Sequence, residues 1–127
     1  MPGPKINFAS VTLDCPDQEK LADFYAALLG WNKKRFSEEW LAVISPDDQI
    51  CLLFQEIEDY VSPVWPNEKG KQQQMTHLDF AAAPKEKEAV KSHALSCGAA
   101  LASVQYSQDY TVFLDPVGRP FCVSFFA

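Results

Sequence analysis

The sequence predicts an α+β fold: two tandem βαβββ modules forming a curved, half-closed mixed β-barrel with helices on the convex side. Three observations predict it. A strand, a helix and three strands are read twice along the 127 residues. The phrase VTLDC (11–15) is echoed by THLDF (76–80), and LGW (29–31) by CGA (97–99). The intervals, 67 from Ser10 to His77 and 68 from Gly30 to Gly98, agree within one residue, as a duplicated supersecondary unit requires.

In the first copy, INFASVTLDC (6–15) reads as a strand from its β-branched residues and partial alternation. A helix follows, with Pro16 in its first turn and Asp17 and Glu19 placing negative charge at its N-terminus. Leu21, Phe24, Tyr25, Leu28 and Leu29 make one apolar stripe, and Gly30 is the stop. WNKKRFS and EWLAVISP are two strands, PDDQ (46–49) a turn, and ICLLFQEI a buried third strand. The segment 61–74, VSPVWPNEKGKQQQ, with prolines, a glycine and glutamines, reads as a linker or crossing loop.

In the second copy, MTHLDFAA is a strand, and a helix runs from Pro84 to Gly98. LASVQYS, YTVFLDP and PFCVSFFA are three more strands, and DPVGR sits where SPDDQ sits in the first copy. The organisation is thus one domain over 1–127, with module one at 5–60 and module two at 75–127 joined by linker 61–74. A lone module of this size buries too little surface to be stable. Two side by side would enclose an apolar cleft of the kind that takes small molecules.

Composition narrows the function. The net charge is −6, and the densest cationic patch, Lys33-Lys34-Arg35, decorates a strand; no nucleic-acid partner is expected. No segment has the length of a membrane span, so no membrane partner is expected. Cys15, Cys51, Cys97 and Cys122 are widely spaced and read as reduced thiols in a cytoplasmic protein.

Three stretches, DCPDQEKLADFYAALLGW (14–31), VWPNEKGKQQQMTHLDF (64–80) and DPVGRPFCV (115–123), resemble the vicinal oxygen chelate (glyoxalase/bleomycin-resistance/dioxygenase) superfamily, in its glyoxalase-like domain subgroup. The resemblance spans essentially the whole chain. It implies the two-module fold and a homodimer. In catalytic members four positions on the first and last strands of the modules hold a divalent metal, a Lewis acid. They correspond here to Ser10, His77, about Leu52, and Cys122. Ser10 is a poor ligand and Leu52 cannot bind, whereas three or more ligands are normally needed. No cofactor is expected, and the usual divalent metal is disfavoured.

The site expectations follow. His77 is a general base or a pocket-wall hydrogen-bonding group, and Asp79 shares its face by alternation; the two are the candidate catalytic residues as an acid-base pair, with Asp79 as the cap of a turn from a neighbouring segment the alternative. Ser10, Trp40, Leu52, Phe54, Trp65, Tyr110 and Cys122 are candidate substrate-binding residues. Trp65 caps the pocket, anchors a partner surface, or simply pins the linker to the core. Cys122 reads as a buried, inert thiol, and His93 as a half-buried structural residue. The expected function is binding of a small, apolar or aromatic, oxygen-bearing molecule between the modules, without the usual catalytic metal. The alternative is a lyase or isomerase with His77 as base, with or without a divalent ion.

Overall fold

The computed structural model describes residues 3–126. The chain splits into two compact units, Met1–Glu56 and Ile57–Ala127. The segment read as a linker therefore belongs to the second unit.

The first unit holds β1 (Val11–Cys15), α1 (Gln18–Leu29), β2 (Asn32–Arg35), β3 (Leu41–Ile44) and β4 (Cys51–Glu56). Its four strands form one mixed sheet in the order β1-β4-β3-β2, with β1 and β4 parallel and the other pairs antiparallel. The first strand is shorter than its composition predicts. Pairing begins at Val11 opposite Leu52, and residues 6–10 find no partner strand, leaving Ile6 and Phe8 exposed. Pro16 lies outside α1 rather than in its first turn. Asp17 is the N-cap, and its side chain accepts a hydrogen bond from the Lys20 backbone N–H at 3.2 Å. Gly30, with φ 69°, closes the helix through its N–H to the Ala26 carbonyl at 2.9 Å. The stripe is real: Leu21, Phe24 and Tyr25 are buried, and Tyr25 stacks on Phe54 of β4 with centroids 6.0 Å apart.

Lys33 and Arg35 of β2 reach across to α1. Lys33 Nζ lies 2.7 Å from both Glu19 and Asp23, and Arg35 lies 2.6 Å from Glu19. Exposed pairs of this sort stabilise little, because solvent and salt screen them. They pair two of the three cations in the densest cationic stretch, Lys33-Lys34-Arg35.

The second unit repeats the plan with β5 (Leu78–Ala82), α2 (Lys87–Cys97), β6 (Ala100–Leu101), β7 (Tyr110–Leu114) and β8 (Pro120–Phe125). Its sheet order, β5-β8-β7-β6, reproduces the first, again with the first and last strands parallel. Pro84 opens a 3-10 turn, Pro84–Glu86, that leads into α2, and Gly98 at φ 115° ends it. The expected strand LASVQYS shrinks to Ala100–Leu101 for an identifiable reason. The Gln105 side chain stands in for a strand backbone at Val112. Its Oε1 accepts the Val112 N–H at 2.9 Å, and its Nε2 donates to the Val112 and Ala102 carbonyls at 2.8 and 2.9 Å.

The turns before the last strands repeat as well. Ser45 N–H bonds the Ile50 carbonyl and Asp115 N–H the Arg119 carbonyl, each at 2.9 Å. Within them Asp48 at φ 60° occupies the left-handed position that Gly118 holds at φ 88°. Replacing Gly118 with Ala should destabilise the protein more than replacing Gly30. Both substitutions incur the left-handed cost of about 1–2 kcal/mol. Only at Gly118 would a Cβ also overlap the Ser62 hydroxyl, whereas it meets open space at Gly30. Urea midpoints of the two variants would rank them, and equal midpoints would refute the overlap.

Candidate functional site

Parallel pairing of β5 with β8 builds the site. Leu78 stands opposite Phe121, Asp79 opposite Cys122 and Phe80 opposite Val123. Alternation sends Leu78, Phe80, Phe121 and Val123 to one face and Asp79 and Cys122 to the other. The first set packs its rings: Phe80 meets Phe121 edge-on at 6.0 Å, and Phe113 stacks on Phe121 at 5.3 Å. The second set gathers the polar chemistry. His77 sits one residue ahead of β5, not within it. Its Nε2 lies 3.3 Å from Asp79 Oδ1. Donor atoms of His77, Asp79 and Cys122 all lie within 4.8 Å of one another. Met75, just upstream, adopts φ 62° and is exposed.

The environment of the trio is uneven. The His77 and Asp79 side chains are 36% and 64% exposed, while Cys122 is 5% exposed. Cys122 lies in a buried cluster with Ala102 and Val112, and Trp65, Tyr110 and Leu114 pack against that cluster. Burial pushes the Cys122 thiol up to about 11, and the charge of Asp79 and a hydrogen bond with it act in the same direction. The thiol is therefore protonated and a poor nucleophile near neutral pH. Trp65 is tied down in turn: its Nε1–H donates to the Val104 carbonyl at 2.8 Å, and its ring meets Tyr106 at 5.8 Å. Gln74 Nε2 donates to the Val64 carbonyl at 3.1 Å.

The structure thus brings together His77, Asp79, Cys122, Trp65 and Tyr110 in the second unit. Trp65 pins its own segment, through Val104 and Tyr106, and packs against the Cys122 cluster. Leu52 and Phe54 are corrections. Both are buried, at 3% and 0% exposure, and Phe54 lies under Tyr25 of α1, so they are core and not lining. The register shows why. Thr12 pairs with Leu53 as Asp79 pairs with Cys122, so the first-unit counterpart of Cys122 is Leu53. A shift of one residue exchanges the faces of a strand. Ser10 precedes β1 as His77 precedes β5.

Trp40 is placed elsewhere, in a cavity of about 310 Å³ with Gln18, Glu38, Glu39, Gln55 and Glu56. Gln18, unnoticed in the sequence, is 5% exposed and donates to the Phe54 and Glu39 carbonyls at 2.9 and 3.1 Å. His93 is also corrected. It is exposed on α2, with a ring nitrogen 3.7 Å from Cys97 Sγ, while Ala94 takes the buried position of that helix. All four cysteines carry thiols. Among the described residues no helix is long and apolar enough to cross a membrane.

These residues do not fit the four-ligand divalent site that the resemblance implies. Ser10 is a weak donor, and neither Leu52 nor Leu53 is one. Among the described residues, the donors that converge are one imidazole, one carboxylate and one thiol, those of His77, Asp79 and Cys122 in the second unit.

A family model described as glyoxalase-like domain matches residues 10–124. Among solved structures, a glyoxalase/bleomycin resistance protein/dioxygenase family enzyme from Burkholderia phytofirmans superposes with a TM-score of 0.69 at 18% identity, covering 92% of this chain and 96% of that one. A glyoxalase/dioxygenase from Nostoc punctiforme gives 0.68 at 16% identity, covering 94% and 90%. The fosfomycin resistance protein FosX from Listeria monocytogenes gives 0.70 at 12% identity, covering 98% and 94%. At these identities the likeness is one of fold. No curated protein sequence matches the chain.

The thiol environment is directly measurable. Alkylation of Cys122 by iodoacetamide should stay slow at pH 8 and accelerate as pH approaches about 11. In Asp79→Asn the acceleration should begin at lower pH, because the raising charge is gone. Mass-spectrometric mapping of the modified cysteine would check both. Rapid labelling of Cys122 at pH 7 would contradict the buried, carboxylate-facing environment.

Proposed function

The chain belongs to the glyoxalase-like domain family, and from that premise we propose that it binds a small, apolar or aromatic, oxygen-bearing molecule on the Cys122 face of the β5–β8 sheet, without the usual catalytic metal. One observation carries this reading: His77 Nε2 and Asp79 Oδ1, 3.3 Å apart, stand beside a wall that includes Trp65 and Tyr110. Small-molecule sites combine such apolar walls with a few oriented polar groups. The wall rewards burial of a ring or alkyl body, at roughly 25 cal/mol per Å² of apolar surface. The polar pair orients the ligand oxygen. In a neutral imidazole with its Nε2–H directed at Asp79, Nδ1 offers a lone pair to a ligand hydroxyl.

That same pairing favours a second reading, a lyase or isomerase. Asp79 would hold the His77 ring in one tautomer, and Nδ1 would take a proton from the bound substrate as general base. The two readings share one binding mode and differ in whether the proton moves. A homodimer in the cytoplasm completes the proposal; the outer strands β2 and β6 end their sheets with unpaired edges of the kind that dimers cover.

Calorimetric titration against phenols and aromatic hydroxy acids should reveal one-to-one binding of at least one compound, unaltered at the end of the experiment. Binding-only behaviour would be displaced by the enzyme reading if a Mg2+- or Mn2+-dependent product accumulated. His77→Ala should weaken that binding by about tenfold or more, or ~1.4 kcal/mol, as loss of a polar contact in a partly buried site predicts. Full affinity and full turnover in His77→Ala would remove His77 from both readings.

A further inference from the structure

Beyond Asp79 and Cys122 the same face continues along the strands. The register sets Ser124 of β8 between Ala81 of β5 and Tyr110 of β7, one step of the alternation past the Asp79–Cys122 pair. Phe125, the next residue, goes to the opposite face, where Lys87 Nζ of α2 lies 5.8 Å from its ring centroid. Ala81, Ser124 and Tyr110 therefore make a second row on the Cys122 face. Ala81 is exposed and ends at its Cβ, so it is a low floor in that row.

The row adds two hydroxyls. Ser124 and Tyr110 are half-buried. Neither hydroxyl hydrogen-bonds another described residue, and neither oxygen is sealed from solvent. Each can donate to an acceptor on a bound molecule. Residues two apart on a strand are separated by about 7 Å, and one interstrand step more places Asp79 and Ser124 about 8 Å apart. That spacing suits polar groups at opposite ends of one aromatic ring and is too long for groups on adjacent carbons.

Charge narrows the ligand further. β5, β7 and β8 contain no Lys or Arg, and Asp79 is their one acid. A charged His77 would already face Asp79 at 3.3 Å. An anionic ligand would shed water on this face with no cation from these strands to replace it, which is costly. A neutral ligand escapes that cost.

We propose that the Ser124 and Tyr110 hydroxyls form a second polar end of the binding site and select a neutral aromatic molecule with a hydroxyl and a carbonyl para to each other. The ring hydroxyl meets His77 and Asp79, the ring lies over Ala81 and Cys122, and the carbonyl accepts from Ser124 and Tyr110. This inference rests on the small-molecule reading and adds the far end of the ligand to it.

Calorimetric titration of the intact protein with 4-hydroxybenzamide, 2-hydroxybenzamide, 4-hydroxybenzoate and phenol provides the test. 4-Hydroxybenzamide should bind about tenfold or more tighter than each of the others, as two additional neutral hydrogen bonds predict. In a Tyr110→Phe/Ser124→Ala double variant with an unchanged circular dichroism spectrum, its preference over phenol should nearly vanish. Equal binding of phenol and 4-hydroxybenzamide by the wild type, or a wild-type preference in the double variant, would overturn the second polar end and leave the small-molecule reading standing. Tighter binding of 4-hydroxybenzoate or of 2-hydroxybenzamide would overturn the selection of a neutral, para-substituted ligand. Binding of none of the four would defeat this inference and the phenol-binding form of the reading together.

Discussion

The register of one parallel strand pair governs this molecule. With Leu78 opposite Phe121, the rings of Phe80, Phe113 and Phe121 fall together on one face, and Asp79 and Cys122 meet on the other. A slip of β5 by one residue would bring Leu78 and Phe80 to the polar face and bury Asp79 among rings. Burying an unpaired carboxylate costs several kcal/mol, so the apolar pattern of the two strands and the polar site enforce each other. The His77–Asp79–Cys122 cluster is a consequence of the same register that builds the core.

The two units show what a duplicated plan preserves and what it releases. Strand order, parallel and antiparallel pairing, helix-ending glycines and the turn before the last strand are common to both. These are backbone properties, and many side chains satisfy them. Asp48 and Gly118 fill the same left-handed position with different residues, and Asp tolerates that region better than most. Divergence is concentrated where side chains take over backbone roles. Gln105 completes a ladder position in the second unit, and Gln18 ties α1 to Phe54 and Glu39 in the first.

Chemistry is divided as unevenly as the side chains. The second unit holds an imidazole, a carboxylate and a thiol on one face, walled by Trp65 and Tyr110; the first places Ser10, Thr12 and Leu53 there. The thiol is kept protonated by burial and by the facing carboxylate, so it is not a ready nucleophile.

Much of this was determined by sequence alone. The stripe Leu21-Phe24-Tyr25, the stop at Gly30, the repeated order of elements and the paired turns all rest on local periodicity and turn chemistry, which neighbouring residues decide. The spacing of two between His77 and Asp79 was likewise legible, although His77 lies just ahead of the strand. Tertiary structure decided the rest, because it depends on pairing between distant segments. It chose Leu53 over Leu52 as the counterpart of Cys122, put Phe54 beneath Tyr25, and brought Cys122 to Asp79 across 43 positions of chain. Side-chain period in a strand is two, so an uncertainty of one residue in register, invisible to local patterns, is enough to exchange core for site.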